Sequence, residues 1–319
     1  METTMFKSSF SKEIEEYLIK LEQSGYSIRH IKSSLKRFDS FCYENAIVGI
    51  TFTEEMAEKL LLSKPKHLKQ QTHYSYICVV RRFINHLISK DYKLYPPNLP
   101  TYAGPRHVSY VYSEDEIRRY FRAVDLYDYS KYPLYGLSFP LLMRLLYCCG
   151  LRINEALSIK KKDVDLIKGT ILLEHTKGGG SRIIKLNDKL LNILIVYANK
   201  IFYRLHLNEY IFIGKRNLAI AEKTVREWHL RFLFAAYIPN IGRYRGPRLH
   251  DFRHTFAVRS LKQMIDSGMD SYAAMPILAA YMGHDSIEAT QYYLKITLEH
   301  YPYLEERIGS KLALLLRDL

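Results

Sequence analysis

Apolar side chains recur at helical spacing through residues 1 to about 92. Four such stripes are separated by polar or turn residues, and Gly25 follows the first one, at a typical helix stop. Thr53 stands where a threonine caps the start of the third helix. The pattern predicts a helical domain over residues 1–92. The stripes are Ile14, Tyr17, Leu18 and Leu21, then Ile28, Ile31, Leu35, Phe38 and Phe41, then Met56, Leu60 and Leu61, and finally Ile77, Val80, Ile84, Leu87 and Ile88.

Closely spaced prolines end this periodicity. Pro96, Pro97, Pro100 and Pro105 all fall within residues 93–109. Proline removes a backbone donor and favours extended chain. We therefore expect an interdomain linker at 93–109 and a second domain over residues 110–319.

The second domain is predicted to be mostly helical with one small sheet. Ser113 and Glu116 form a capping box at a helix start. Residues 170–174 and 182–186 are rich in strand formers and are separated by three glycines, which predicts an antiparallel hairpin. An apolar-striped helix is expected at residues 303–316. The fold class is therefore mainly α with a small antiparallel β-sheet: a helical domain followed by a mixed α+β domain.

The charge balance favours a polyanionic partner. Lys and Arg outnumber Asp and Glu by 47 to 33, a net charge of +14. Nucleic acid is the first candidate and an acidic membrane surface the second, because both carry dense negative charge. Charge alone does not separate these two classes.

The cysteines and the hydropathy indicate a cytoplasmic protein. The four cysteines, Cys42, Cys78, Cys148 and Cys149, form no CxxC pair, and we expect reduced, mostly buried thiols. No apolar run approaches the roughly 18 residues of a membrane span, and the N-terminus lacks a secretory signal pattern. We expect no membrane association and no metal site.

Basic residues line the outer sides of two helices in the first domain. A cationic face opposite an apolar one suits a helix that lies on a DNA backbone, although a solvated surface is an equally good interpretation of any one residue. The candidates are Arg29, Lys32, Lys36, Arg37, Arg81 and Arg82.

Two cations stand out early in the second domain. Arg152 follows a helix stop at Gly150, and its guanidinium could bind two phosphate oxygens; Glu155, three residues later, could hold it in place. Lys177 precedes the three glycines of the hairpin, where it could protonate a leaving oxygen. A surface ion pair and a solvated turn lysine are the ordinary alternatives.

The last third of the chain adds imidazoles and hydroxyls. His250 and Arg253 project to one side at a helix start, where amide donors favour a phosphate. His284 ends a later helix, and Tyr292 and Tyr293 follow in the next. A tyrosine hydroxyl has a pKa near 10, so we expect a positive field to activate it as a nucleophile. Core packing is the alternative for each tyrosine.

Each signal is weak alone, but their order and spacing resemble the tyrosine recombinase (phage-integrase-like) family. The likeness spans the second domain, and the basic helical domain looks like the family's core-binding domain. The matching stretches are residues 150–157, Lys177 before the glycines, residues 249–257, residues 282–287 and residues 290–293.

The resemblance implies a role for each cation and imidazole. Arg152 and Arg253 would be the paired phosphate-binding arginines. Lys177 would be the general acid for the 5′ oxygen. His250 and His284 would assist proton transfer and hold the phosphate.

The nucleophile implied by the resemblance is Tyr293, because the family places it nine residues after the histidine of the Gly-His pair. Leu294 and Lys295 depart from the Thr or Ser and His that often follow the nucleophile. Tyr292 therefore stays open as the alternative.

The function implied is site-specific DNA recombination through a 3′-phosphotyrosyl intermediate. The ester stores the energy of the broken bond, so neither ATP nor metal is expected. The expected partners are double-stranded DNA and further copies of this chain, as a tetramer on two duplexes, with the C-terminal helix docking on a neighbour or on its own domain. Strand relaxation of the type IB topoisomerase kind and non-catalytic DNA binding are the alternatives.

Overall fold

The chain divides into two compact units, Met1–His107 and Val108–Leu319. The computed structural model describes residues 6–26, 28–65, 68–101, 109–174, 180–214, 218–240, 246–283 and 288–304. Within them the structure is mainly helical with one small antiparallel sheet, so the predicted fold class is confirmed.

The first unit contains four helices in its described part: α1 (Ser11–Gln23), α2 (Arg29–Glu44), α3 (Glu54–Leu62) and α4 (Gln70–Ile88). The Thr53 side chain accepts a hydrogen bond from the Met56 amide, which confirms the predicted cap. The predicted stripes form a core around the rings of Phe10, Phe38 and Phe83. Ile88 is an exception: it is 37% exposed at the last position of α4, although its spacing predicted burial.

The proline-rich stretch is divided between the two units. Its beginning belongs to the first unit, since the Tyr95 amide donates to the Phe52 carbonyl and Arg81 donates to the Pro97 carbonyl. Ser109 and Tyr110 lie in the second unit. The predicted linker 93–109 therefore contributes residues to both units.

The second unit begins with the predicted capping box. The Ser113 side chain accepts from the Glu116 amide, and the Glu116 carboxylate accepts from the Ser113 amide. The helices are α5 (Glu114–Leu126), α6 (Pro133–Cys148), α7 (Ile153–Leu157), α8 (Asp188–Ile201), α9 (Glu222–Ala235), α10 (Asp251–Asp266), α11 (Ser271–Met282) and α12 (Glu288–His300), with short 3-10 turns at Lys161–Asp163, Phe202–Arg204 and Pro302–Leu304.

The sheet has three strands in the order β1-β2-β3: β1 (Val164–Asp165), β2 (Thr170–Leu173) and β3 (Arg182–Lys185). Strands β2 and β3 pair antiparallel, with Leu173 opposite Arg182, which confirms the predicted hairpin. Its tip at residues 175–179, including Lys177, lies outside the described residues. Ile171 and Ile184 are fully buried, so this face of the sheet anchors the hairpin in the core.

The core of the second unit converges on α6 and α10. Both helices are largely buried, and α10 packs against α6, α11 and α12. The consequence is that the end of α6, the start of α10, the end of α11 and the middle of α12 meet in one region. No described helix is long and apolar enough to cross a membrane. Residues 305–319, which include most of the predicted C-terminal helix, lie outside the described residues.

Candidate active site

Arg253 is a buried cation held by backbone carbonyls. It is 2% exposed, and its two terminal nitrogens donate to the carbonyls of Gly150 and Met282, both at 2.7 Å. The pKa of Arg253 is lowered to about 10, mainly by burial and also by the charges of Arg152 and Arg182, while Tyr293 and Glu155 act in the opposite direction. The guanidinium thus stays charged at neutral pH and joins the ends of α6 and α11 to α10.

Arg152 lies beside Arg253 and is bound more loosely. Its Nη1 donates to Glu155 Oε1 at 2.8 Å, its Nη2 donates to the Gly283 carbonyl at 3.1 Å, and its backbone amide donates to Glu155 Oε2 at 2.9 Å. About a quarter of its side chain is exposed, at 24%. Arg152 is therefore the more accessible of the two paired guanidinium groups.

Glu155 bridges two arginines. Arg182, on β3, donates to both of its carboxylate oxygens, at 3.1 and 2.8 Å, while Arg152 occupies the other side. Desolvation raises the pKa of Glu155, but the hydrogen bonds and charges of Arg182 and Arg152 outweigh it, so the net pKa lies below the ordinary value. The carboxylate is ionised at neutral pH and fixes the orientation of Arg152.

Two left-handed glycines present the carbonyls that hold the arginines. Gly150 and Gly283 have φ angles of +58° and +64°. A Cβ on Gly150 would lie 2.5 Å from the Phe256 ring, and one on Gly283 would lie 2.7 Å from Arg182. Both positions favour glycine for backbone conformation, and Gly150 also lacks space for a side chain beside the Phe256 ring.

His250 borders this cationic cluster at the start of α10. The residue as a whole is exposed, but its ring is partly enclosed by the cluster. Desolvation is the largest cause that lowers the pKa of His250 to about 4, and the charges of Arg253, Arg248 and Arg152 lower it as well. Both causes act in the same direction, so His250 is a neutral imidazole at pH 7. It can accept a proton or donate its N–H to a phosphate.

Tyr293 reaches Arg253 from α12. It is 4% exposed, and its ring lies 5.4 Å from that of His254. Burial raises its pKa, whereas the charge and the side-chain hydrogen bond of Arg253, and the charge of Arg152, lower it. The net pKa is raised, so burial outweighs the field of the two described arginines in the DNA-free chain.

Tyr292 faces a different environment. It is 41% exposed, and its hydroxyl shares a hydrogen bond with Ser109 Oγ at 2.9 Å. Its ring lies 6.2 Å from that of His254. Only Tyr293 of the two shares a hydrogen bond with one of the paired arginines among the described contacts.

The structure thus brings Arg152, Glu155, His250, Arg253 and Tyr293 into one cluster. The remaining two candidates, Lys177 and His284, lie outside the described residues.

Three further residues belong to the same cluster and were missed from the sequence. Arg182 lies 27 residues from Glu155, so only the packed hairpin shows the pair. Asp251 is fully buried, and His254 lies beside both tyrosine rings. Both residues lie close to Arg253 in the chain. A charged residue on the apolar side of a predicted helix start is the sequence feature that could have identified them.

The six basic candidates of the first unit differ in their surroundings. Arg29, Lys36 and Arg82 are exposed. Arg37 instead stacks on the Tyr76 ring at 4.3 Å, and Arg81 donates to the Pro97 carbonyl. Lys32 is half-buried. The exposed residues are the better candidates for contact with a phosphate backbone, because Arg37 and Arg81 already have partners within the unit.

The phage integrase family model matches residues 114–300, which contain every described member of the cluster. The y4rB protein of Sinorhizobium fredii is 26% identical over 298 residues, 90% of this chain and 93% of that protein. Tyrosine recombinase XerA of Pyrococcus horikoshii is 28% identical over 217 residues, 67% of this chain and 65% of that protein.

Solved structures share the fold over most of the chain. XerH site-specific recombinase bound to a palindromic difH substrate has a TM-score of 0.64 at 19% identity, covering 90% of this chain and 80% of that one. The Tn1549 transposon integrase in complex with transposon right end DNA has a TM-score of 0.62 at 15% identity, covering 91% and 99%. At these identities the comparison concerns the fold alone.

The Glu155 bridge makes a testable contribution to stability. Glu155→Gln should lower the unfolding free energy of the second unit by about 3 kcal/mol at neutral pH, since it leaves two half-buried guanidinium groups without their carboxylate. Because folding lowers the pKa of Glu155, its contribution is complete above its ordinary value of 4.5 and is lost as pH falls through the folded pKa. Urea unfolding of both proteins should show a constant difference above that pH and a shrinking one below it.

Glu174→Gln is the matched control. Glu174 pairs with Lys162 at 3.6 Å on the surface, where an ion pair contributes at most about 1 kcal/mol. Equal losses in the two variants would contradict the structural role of Glu155.

Proposed function

The chain belongs to the phage integrase family, the tyrosine recombinases, and we propose that it cleaves and rejoins DNA at specific sites through a 3′-phosphotyrosyl intermediate. The observation that carries the proposal is the buried position of Tyr293 beside Arg253, whose charge acts on the Tyr293 hydroxyl together with that of Arg152. A phosphate bound by the two arginines would lie within reach of this hydroxyl, which supports Tyr293 as the proposed nucleophile.

Phosphate binding is assigned to Arg152 and Arg253. A guanidinium has five N–H donors, and the described contacts to carbonyls and Glu155 use two on each arginine. In the five-coordinate transition state negative charge builds on the equatorial oxygens, where fixed cations stabilise it most. The carbonyl anchors hold both cations before DNA arrives, so little reorganisation is required.

In the cleavage step the Tyr293 oxygen forms a bond to phosphorus and the bond to the 5′ oxygen breaks. The phenol proton passes to a neighbouring base, for which neutral His250 is suited. Lys177 donates a proton to the departing 5′ oxygen, and His284 assists in holding the phosphate. The resulting ester keeps the energy of the broken linkage, so rejoining proceeds by the reverse steps without ATP or metal.

Double-stranded DNA is the proposed substrate, and a tetramer on two duplexes is the proposed working assembly. The net charge of +14 and the exposed Arg29, Lys36 and Arg82 supply the sequence-independent part of DNA binding. A λ integrase tetramer bound to a Holliday junction has a TM-score of 0.60 to this chain at 17% identity, over 88% of this chain and 76% of that one. A second duplex supplies the 5′-hydroxyl that resolves the ester, which distinguishes recombination from relaxation of one duplex.

The nucleophile is tested by trapping. Nicked suicide duplexes made from the DNA that flanks this reading frame should form a covalent adduct with the wild type. Tyr293→Phe should abolish the adduct, because no oxygen remains to attack, while DNA affinity changes little. An adduct with Tyr293→Phe and none with Tyr292→Phe would move the nucleophile to Tyr292. Absence of any wild-type adduct would favour non-catalytic DNA binding, and relaxation of plasmid without exchange between duplexes would favour a topoisomerase.

The role of Lys177 as general acid is tested by changing the leaving group on the DNA. Lys177→Ala should slow cleavage of ordinary DNA by at least about 100-fold, the usual contribution of a positioned acid. A duplex with sulfur in place of the bridging 5′ oxygen should be cleaved by the variant almost as fast as by the wild type, since a thiolate leaves without a proton. Equal defects on both substrates, measured by adduct formation, would contradict the assignment.

The DNA-contact residues are tested by salt dependence. Alanine at Arg29, Lys36 or Arg82 should reduce the slope of log affinity against log salt concentration by about 0.9 per lost phosphate contact, measured on mixed-sequence duplex DNA. Arg37→Ala and Arg81→Ala should instead lower the stability of the first unit, because these residues have internal partners. Unchanged slopes in all three exposed variants would place the DNA elsewhere.

A further inference from the structure

We infer that Tyr292 is a positioning residue for the nucleophile: its hydrogen bond to Ser109 sets the orientation of α12 about its own axis and so aims Tyr293 at Arg253. The inference rests on the proposed function, since it concerns the alignment of the proposed nucleophile. It assigns a role to the tyrosine that the cleavage step does not use.

Ser109 is a fixed anchor because the segment that contains it is fastened to α10. The Tyr110 amide donates to Asp251 Oδ1 at 3.4 Å, and the Tyr112 amide donates to Thr255 Oγ1 at 3.0 Å. The Tyr112 carbonyl accepts from Arg259 at 3.0 Å. These contacts tie the start of the second unit to the helix that carries Arg253.

Tyr292 is the part of α12 that reaches this anchor. Ser109 is 6% exposed, whereas Tyr292 is 41% exposed, so ring burial constrains Tyr292 less than it constrains Tyr293 at 4%. The bond between the two hydroxyls, at 2.9 Å, is therefore the polar contact that holds Tyr292 on this side of the helix, where Ile296, four residues later, is buried. Leu294 and Leu298 hold the opposite side in the core.

Because α12 is a helix, the contact made by Tyr292 also fixes the direction in which the Tyr293 side chain points. Consecutive residues point about 100° apart around a helix, so fixing Tyr292 fixes the direction of Tyr293. A tyrosine hydroxyl lies far from the helix axis, and a small rotation of α12 moves it by roughly 1 Å. Displacements of that size are costly for a reacting atom. Through the Ser109–Tyr292 bond, the position of segment 109–112 thus affects the distance between the Tyr293 hydroxyl and the Arg253 guanidinium.

The experiment compares Tyr292→Phe, Ser109→Ala and the double variant on the suicide duplex that traps the wild type. Each single change should slow adduct formation by about fivefold, the effect of one ordinary hydrogen bond, with DNA affinity unchanged. The double variant should be no slower than either single variant, because all three lack the same bond. The slowing should be the same at every pH, since Tyr292 takes no part in proton transfer. Tyr203→Phe, which removes an exposed hydroxyl bonded to Arg204, is the matched control and should behave as wild type.

A second measurement needs no DNA cleavage. Backbone amides of α12 should exchange with solvent faster in both single variants than in the wild type or the control, because the helix has lost one of its anchors. Unchanged exchange, additive slowing in the double variant or faster cleavage by Tyr292→Phe would each overturn the inference. Complete loss of adduct in Tyr292→Phe with retention in Tyr293→Phe would overturn the nucleophile assignment as well. If the wild type forms no adduct, the proposed function fails, and amide exchange alone decides whether the bond holds α12.

Discussion

The burial of one guanidinium constrains the whole second unit. Arg253 is almost fully enclosed, and a buried charge is tolerated only when its donors are satisfied. Its partners are carbonyls that follow α6 and end α11, where backbone dipoles leave partial negative charge. The two glycine turns exist to aim such carbonyls at the arginines. The ends of α6 and α11 and the start of α10 therefore meet at the Arg253 guanidinium. The candidate active-site cluster lies around this point.

Much of this arrangement can be predicted from short stretches of sequence, because contacts between residues close in the chain produce it. The capping box at Ser113, the hairpin around residues 170–186 and the three-residue spacing of Arg152 and Glu155 all follow from short-range geometry. The contact between Glu155 and Arg182 does not, since it depends on how the hairpin packs against α7. Burial cannot be read from the sequence either: the cations named there lower the pKa of Tyr293, but the larger effect is desolvation, which raises it.

Asp251 shows how closely structure and chemistry share residues here. Its carboxylate accepts from the amides of Arg248 and Tyr110, and its Oδ1 lies 4.0 Å from His254 Nε2. It is fully buried and contacts both His254 and the anchored segment 109–112. The same short stretch, residues 248–255, therefore supplies the proposed phosphate-binding arginine Arg253, the neutral imidazole of His250 and the attachment of segment 109–112. Substitutions there change fold and chemistry together.

The raised pKa of Tyr293 has a consequence for how the site works. In the DNA-free chain the phenol is protonated, and Arg253 donates to it. In the proposed mechanism a DNA phosphate bound by the arginines would compete for that donor and bring negative charge, which would raise the pKa of the phenol further. Arginines alone therefore cannot produce a free tyrosinate before attack. In the proposed cleavage step the proton therefore leaves as the bond to phosphorus forms and passes to an unprotonated base. His250 is in that form at neutral pH, because burial and the surrounding arginines lower its pKa to about 4. In the proposed mechanism the arginines therefore have two roles: they stabilise the transition state, and their charges help to keep the His250 imidazole unprotonated and able to take the proton.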